Sequence, residues 1–400
     1  MSPKKILHVI ASVDPATGGI IEGVLQQQNA MKATGQAECE VVSLDRPGAP
    51  YLRDFPIKVH AQGEYADGKS TWASPLAHYG YTAKLIPWLR TYAHEYDAVI
   101  VDGLWNYASL AASVVLRNRK VPYFVFTHGM LDPWFRRQSR LKHLGKQMSW
   151  LLFEGPLLAN AEMVLFTTEA ERKSARGQFW GASYKEHVIG FGTGAPPPAS
   201  PAQELAFRKM LPALGSRPFL LFLSRIHPKK GCDLLIDAFS KVAGRFPDLD
   251  LVIAGPDQVG IQGELLAQAA ALGLGQRIHW PGMLSGDAKW GAYRAAKAFI
   301  LPSHQENFGV VVAEALACDT PVLISNKINI ADKVELSGGG LVEEDNLSGT
   351  TNLMLRFLSL SEEVQQIMRH QAGLCFETNF EVTGFSQRLV QLVLAARSPK

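Results

Sequence analysis

Ser303-His304-Gln305-Glu306-Asn307-Phe308-Gly309-Val310-Val311-Val312-Ala313-Glu314 sets two carboxylates eight positions apart, on either side of a small Asn-Phe-Gly turn. Upstream, Lys297-Ala298-Phe299-Ile300-Leu301-Pro302 is an apolar run closed by proline, which reads as a buried strand; downstream, Val310 to Ala317 reads as a helix. The turn therefore lies at the carboxyl end of a strand, where open α/β sheets bind their ligands. Amides of the first helical turn lack partners within the helix and attract a phosphate. Glu306 stands on the loop, where a hydroxylated group would sit, and Glu314 lies just over a turn along the helix. Two acceptors flanking an anion hole suit a sugar nucleotide, although the ordinary fate of a glutamate is a solvated surface.

A second stretch, Leu223-Ser224-Arg225-Ile226-His227-Pro228-Lys229-Lys230-Gly231, runs from a strand end through a basic loop into a helix. A diphosphate leaving group gathers negative charge as its bond to the sugar breaks, and a fixed guanidinium with a lysine at a helix start can take a metal's place. Arg225 and Lys230 are the candidates, and Lys229 reads as a solvated loop charge. Asp248-Leu249-Asp250 has a spacing used to hold manganese or magnesium. It follows Phe246-Pro247 and leads into Leu251-Val252-Ile253, so it reads as a turn and strand start, and no metal site is assigned.

Glu306-x7-Glu314 with Asn307-Phe308-Gly309 after the first glutamate, and Arg225-x4-Lys230 before it, resembles the signature of retaining GT-B glycosyltransferases of the group 1, or family 4, type. The resemblance covers nearly the whole chain and is best from about Phe219 to Ser325. It implies an α/β fold of two Rossmann-like domains with parallel sheets facing a central cleft. It further implies that Glu306 meets donor-sugar hydroxyls, that Asn307 and the backbone of Phe308, Gly309 and Val310 contact sugar and phosphate, and that Glu314 binds the ribose. In such enzymes the reaction stays on one face of the sugar, the leaving phosphate oxygen takes the acceptor proton, and neither a protein nucleophile, a metal nor another cofactor is needed. Family prevalence favours UDP-glucose or a related UDP-sugar as donor, with GDP-mannose next, and a glycan or lipid-linked acceptor in bacterial surface polysaccharide synthesis.

The 400 residues, 47% of them hydrophobic, suffice for two cores, and a net charge of +3 gives no argument for nucleic acid. Cys39, Cys232, Cys318 and Cys375 show no C-x-x-C spacing and read as reduced core residues, which makes a cytoplasmic location the expectation. Met1-Ser2-Pro3-Lys4-Lys5 leads into an apolar run too short for a signal peptide, and no membrane span is expected. Strand-like and helix-like segments alternate, the pattern of parallel sheets. Strands are expected at Ile6–Ala11, Cys39–Leu44, Ala98–Val101, Tyr123–Thr127, Met163–Phe166, His187–Ile189, Phe219–Leu223, Leu251–Ala254, Arg277–Trp280, Ala298–Leu301 and Pro321–Ile324. Gly190 to Pro201 mixes glycine and proline as a linker would, which divides the chain into 1–195 and 196–378. Residues 379–400 form a last helix that either returns to the first domain, as the family's does, or caps the second.

The first half offers weaker signals. Gly18 and Gly19 stand at a strand-to-helix turn, where backbone can approach a ligand; the resemblance makes this a loop over the donor phosphate. Thr127-His128-Gly129-Met130-Leu131-Asp132-Pro133-Trp134 puts His128 at a strand's carboxyl end, and in the family a histidine at this point contacts the donor sugar. Val101-Asp102-Gly103-Leu104-Trp105-Asn106-Tyr107 ends another strand with a carboxylate and aromatic surfaces, which makes Asp102, Trp105 and Asn106 acceptor-side candidates. Many relatives have histidine where this chain has Asp102. The basic run 136–146 beside Trp134, Phe135 and Trp150 reads as a solvated helix face or as a peripheral contact with an anionic membrane, on the inner face of the plasma membrane. Two other readings stay open. An epimerase of this architecture would need an acid and a base flanking the sugar, and a non-catalytic sugar-nucleotide-binding subunit would dispense with Arg225, Lys230 or Glu306.

Overall fold

The structure, a computed structural model, describes residues 3–15, 19–64, 79–117, 121–133 and 140–396. It divides into two compact units: Met1–Gly192 together with Val382–Lys400, and Thr193–Glu381. The first unit holds strands β1 (Lys4–Ile10), β2 (Ala37–Ser43), β3 (Val59–Ala61), β4 (Ala98–Asp102), β5 (Tyr123–Phe126), β6 (Met163–Phe166) and β7 (Glu186–Val188). They form one sheet in the order β3-β2-β1-β4-β5-β6-β7. The second unit holds β8 (Phe219–Leu223), β9 (Asp250–Ala254), β10 (Ile278–Gly282), β11 (Ala298–Leu301), β12 (Val322–Ser325) and β13 (Gly340–Glu343), in the order β10-β9-β8-β11-β12-β13. Every neighbouring pair is parallel.

The apolar runs explain this layering. Parallel strands are covered by helices on both faces, so the central ones carry few polar residues. Ala298, Phe299, Ile300 and Leu301 are fully buried, as are Phe219 to Phe222. Each large apolar side chain so buried contributes roughly 1.5–3 kcal/mol. The strand order reverses direction between β1 and β4 in one unit and between β8 and β11 in the other, which opens a crevice at the carboxyl ends of those strands.

The expected strands are found within one or two residues of their bounds, with two additions at sheet edges, β3 and β13. β3 is only three residues long. β13 opens on Gly340, where a Cβ would stand 2.1 Å from the Val322 carbonyl oxygen, so glycine is here the condition for close strand pairing. At the junction Thr193 pairs with Glu381, and the Thr193 amide donates to the Phe380 carbonyl at 2.9 Å. The helix Val382–Ala396 belongs to the first unit and packs on the helix Gly19–Thr34. Phe385 is fully buried against Phe126 and Phe191, and Arg388 Nε donates to the Ile189 carbonyl at 3.0 Å. Ser200 caps the helix Pro201–Met210, so the linker stretch ends in the second unit's first helix.

Candidate active site

In the second unit, the loops leaving β8 and β11 are stitched together at the reversal of strand order. The His304 amide and the Ser303 hydroxyl both donate to the Lys229 carbonyl, at 2.9 and 3.0 Å. Gly231 has φ +68°, and a Cβ there would stand 2.6 Å from the Pro302 carbonyl oxygen. Only glycine permits both the left-handed turn and the close approach. The consequence is a direct bond from Lys230 Nζ to Glu306 Oε2. Lys230 is 6% exposed, whereas the Glu306 side chain keeps 20% of its surface. An ammonium has three donors, so this bond leaves capacity for a phosphate oxygen.

Glu306 is fixed by its own backbone, which bonds to Lys327 O at 3.1 Å and to Asn329 N at 3.2 Å. Gly309, at φ +77°, begins the helix Val310–Ala317, and its Cα lies so near the Glu306 side chain that a Cβ would be 3.2 Å from Cγ. The Lys230–Glu306 pair thus borders a helix start, where amide dipoles favour an anion. Asn307 Oδ1 accepts from Asn329 at 3.3 Å. Phe308 is buried with its ring edge-on to Phe380 at 5.6 Å, so its side chain anchors the turn.

Glu314 is 8% exposed, and both its oxygens are engaged: Lys289 Nζ donates at 2.8 Å and Tyr293 OH at 3.1 Å. Burial, with the carboxylate beside it, holds the Tyr293 phenol far above its usual range, so it stays a donor. Arg225 is not drawn onto this pair. Its exposed guanidinium meets Gln258 at 3.1 Å. Its charge is still felt nearby, because partial burial and then Arg225, Lys229 and Lys230 lower the His227 pKa. Asp250 is 1% exposed and bonded to Arg217, Arg277 and His279 at 2.9, 3.4 and 2.8 Å, a cluster at the start of β9. Among the described residues no group of three or more His, Cys, Asp or Glu is placed to hold a metal ion. The four cysteines are free and buried.

In the first unit the reversal of strand order carries a chain of three groups. His8 on β1 places Nδ1 2.7 Å from Asp102 Oδ2, and His128 Nε2 lies 2.9 Å from Asp102 Oδ1. His8 and Asp102 are 1% and 4% exposed. Burial disfavours the charged forms, yet the partners prevail: Asp102 raises the His8 pKa to about 10, and the two histidines lower that of Asp102 to about 2. His128 has φ +47° and stacks on Phe126 at 4.4 Å. Its turn is pinned by buried Glu171, whose carboxylate accepts from the Thr127 hydroxyl, the Gly129 amide, and the amide and hydroxyl of Thr167 at 2.6–2.7 Å.

These bonds also place the acceptor-side residues expected from sequence. Each oxygen of Asp102 faces a histidine nitrogen, Oδ2 that of His8 and Oδ1 that of His128. Asn106 caps the helix Tyr107–Leu116 in a reciprocal capping box with Ser109, and its amide nitrogen donates to Leu104 O at 3.2 Å. Trp105, at φ +66°, donates Nε1 to Met130 O at 3.1 Å and packs its ring against Phe179. Gly18 lies outside the described residues; Gly19 is exposed at the first position of its helix. Asp45 steadies the preceding loop by accepting from Ser12 Oγ at 2.6 Å and Val13 N at 2.8 Å. Of the basic run and its aromatic flank, 134–139 lie outside the described residues. Lys146 lies 4.8 Å over the Trp105 ring, while Leu144, Met148, Leu152 and Trp180 are exposed.

His8, Glu171 and Asp45 are absent from the sequence reading. Each acts through a partner tens of residues away, and nothing local marks it; the one available sign is a polar residue inside an apolar strand, as His8 is in Lys4–Ile10.

Two parallel α/β units, of seven and six strands, match the architecture of GT-B glycosyltransferases. Residues 204–373 match the family model "Glycosyl transferases group 1" and residues 18–192 the "Glycosyl transferase 4-like domain". The second unit thus carries a group 1 glycosyltransferase domain and the first a glycosyl transferase 4-like domain. It is similar to the D-inositol 3-phosphate glycosyltransferase of Salinispora tropica, 37% identical over 34% of this chain and 30% of that protein. The mannosylfructose-phosphate synthase of Agrobacterium fabrum is 25% identical over 72% of this chain and 66% of its own. The chain spans less than half the length of the first curated relatives it matches, 30%, 42% and 42%. Among solved structures, Anabaena Alr3699/HepE in complex with UDP and glucose matches with TM-score 0.74 and 20% identity over 97% of this chain and 98% of that one. Sucrose-phosphate synthase from Thermosynechococcus elongatus matches with TM-score 0.78 and 19% identity over 99% and 100%. Among the described residues no helix is long and apolar enough to cross a membrane.

Proposed function

We propose that the protein transfers a sugar, with retention at the anomeric carbon and without a metal, from a nucleotide diphosphate sugar to a hydroxyl of a glycan or lipid-linked acceptor. The observation that carries this reading is the Lys230–Glu306 bond beside the Gly309 helix start, at the strand-order reversal of the second unit. Lys230 keeps its bond to Glu306 and offers its other protons to the diphosphate, while the helix amides take up charge as the leaving group departs. Glu306 accepts from sugar hydroxyls. Glu314, anchored by Tyr293, exchanges Lys289 for the ribose hydroxyls. Arg225 swings from Gln258 to the phosphates, and His128 offers a ring nitrogen to the sugar. Retention follows if the acceptor attacks on the face the diphosphate leaves, with the departing oxygen taking its proton.

UDP-glucose or a related UDP-sugar is the favoured donor, in keeping with the UDP and glucose bound in the Anabaena protein, and GDP-mannose is next. A role in surface polysaccharide synthesis, with contact to an anionic membrane through the helix Arg140–Ser149, accords with the exposed Leu144 and Met148. A thermal-shift panel of UDP-, GDP- and ADP-sugars tests the donor. A preferred sugar nucleotide at a hundred times its Kd stabilises the fold by about 2.7 kcal/mol, and no shift with any of them would overturn the reading. Flotation with anionic vesicles tests the membrane contact, which absence of binding would exclude.

A further inference from the structure

The His8–Asp102–His128 chain has a feature that its geometry alone defines: one buried carboxylate shared between two imidazoles. His8 and Asp102 point to the same face of the sheet, because Ile10 pairs with Asp102 and His8 lies two residues before Ile10 on β1. That face is covered by Ile21 and Val24 of the helix Gly19–Thr34 and by Phe385 of the helix Val382–Ala396, which leaves the carboxylate almost no water. A charge so placed requires a compensating proton on a neighbour. His8, at 1% exposure, has no carboxylate other than Asp102 bonded to it among the described residues, and the Cys39 thiol lies against its ring. The His128 side chain keeps 8% of its surface and sits on a left-handed turn held by Glu171.

We infer that His8 is the counter-cation of Asp102 and that the two are positioning residues for His128. With His8 carrying the compensating proton, Asp102 needs only one N–H from His128 and takes it at Nε2. Nδ1 then keeps its lone pair and is presented as a hydrogen-bond acceptor for a hydroxyl. This rests on the proposed contact of His128 with the donor sugar for its catalytic consequence, but the state of the ring does not depend on it. The other titratable neighbours are already engaged: the Cys39 thiol lies against His8, Glu171 is bound to Thr127, Gly129 and Thr167, and Arg388 to the Ile189 carbonyl. His8→Asn keeps an N–H where Nδ1 stands and removes the charge. Asp102 must then draw its compensating proton onto His128, which converts an acceptor nitrogen into a donor.

The test is 15N NMR of histidine-labelled protein at neutral pH, read together with transfer kinetics. In the wild type the His128 ring should show a protonated Nε2 and an unprotonated Nδ1; in His8→Asn both nitrogens should be protonated. kcat should fall about tenfold or more with the donor KM nearly unchanged. The double variant His8→Asn/Asp102→Asn removes the uncompensated charge, and the one-proton ring and part of the lost kcat should return, a rescue that a merely structural role would not give. A His128 ring that is identical in wild type and His8→Asn overturns the inference, as does a double variant no better than the single. Absence of sugar transfer by the wild type would instead refute the transferase reading, and the ring spectra would still decide the state of the pair.

Discussion

Replacing Lys230 by methionine is the sharpest perturbation that the second unit allows. Methionine fills most of the volume of the lysine stem, so the 6%-exposed site stays packed and the change is confined to the ammonium. Two quantities should then separate. Glu306 loses its cation, but 20% of its side chain remains in contact with solvent, so the folding cost is that of one charged hydrogen bond, about 1.5–3 kcal/mol. At about 2–4 °C per kcal/mol that is a melting shift of roughly 3–12 °C. The rate should fall far more, because a fixed donor aimed at charge that grows in the transition state is worth about 10²–10³ in kcat. Initial-rate release of nucleoside diphosphate under saturating donor, alongside a thermal melt, measures both. A kcat within about threefold of wild type would refute the assignment. Loss of the folded state would refute it in another way, since the pair would then be holding the core together.

Gly231→Ala forces a left-handed alanine, about 1–2 kcal/mol, and pushes a methyl to 2.6 Å from the Pro302 carbonyl; urea denaturation should show a loss of at least that size, and an unchanged midpoint would discard the close-approach argument. Asp250→Ala strands Arg217, Arg277 and His279 and should cost about 3 kcal/mol in the same assay, while EDTA leaves transfer by the wild type untouched; strict dependence on manganese would contradict the metal-free reading. His8, raised from 6.5 to about 10, contributes stability that is complete below pH 6.5 and lost as pH rises through 10. Asp102, lowered from 3.8 to about 2, contributes above pH 3.8 and loses it as pH falls through 2. The stability gap between wild type and His8→Asn/Asp102→Asn should therefore be widest from about pH 4 to 6.5, and a gap flat with pH would count against the buried pair.

The two parallel sheets were legible because their central strands are continuous apolar runs punctuated by glycine and proline. Ala298–Leu301 and Phe219–Leu223 occur at the residues expected from sequence. The neighbourhood of Lys230 and Glu306 was legible for the same reason: each follows such a run, and consecutive carboxyl ends of one parallel sheet share an edge. What escaped is chemistry written across distance. Residues 94 positions apart make the His8–Asp102 bond, and 42 separate Gly129 from Glu171. Asn106 and Trp105 look from sequence like groups displayed at a strand end, but their polar atoms close local bonds of the helix cap and the Met130 turn. β13 was hidden because its four residues Gly340–Glu343 open on glycine, although contact of Gly340 with Val322 is what makes glycine necessary at that position.

The carboxylate of Glu171 ties the ends of β5 and β6 to each other through Thr127, Gly129 and Thr167. The histidine turn is consequently not a portable cassette. Transplanting residues 127–129 into another scaffold, or exchanging them for a homologue's sequence, would carry over the lettering without its clamp. Engineering of this corner should move the segment around Thr167 and Glu171 along with it.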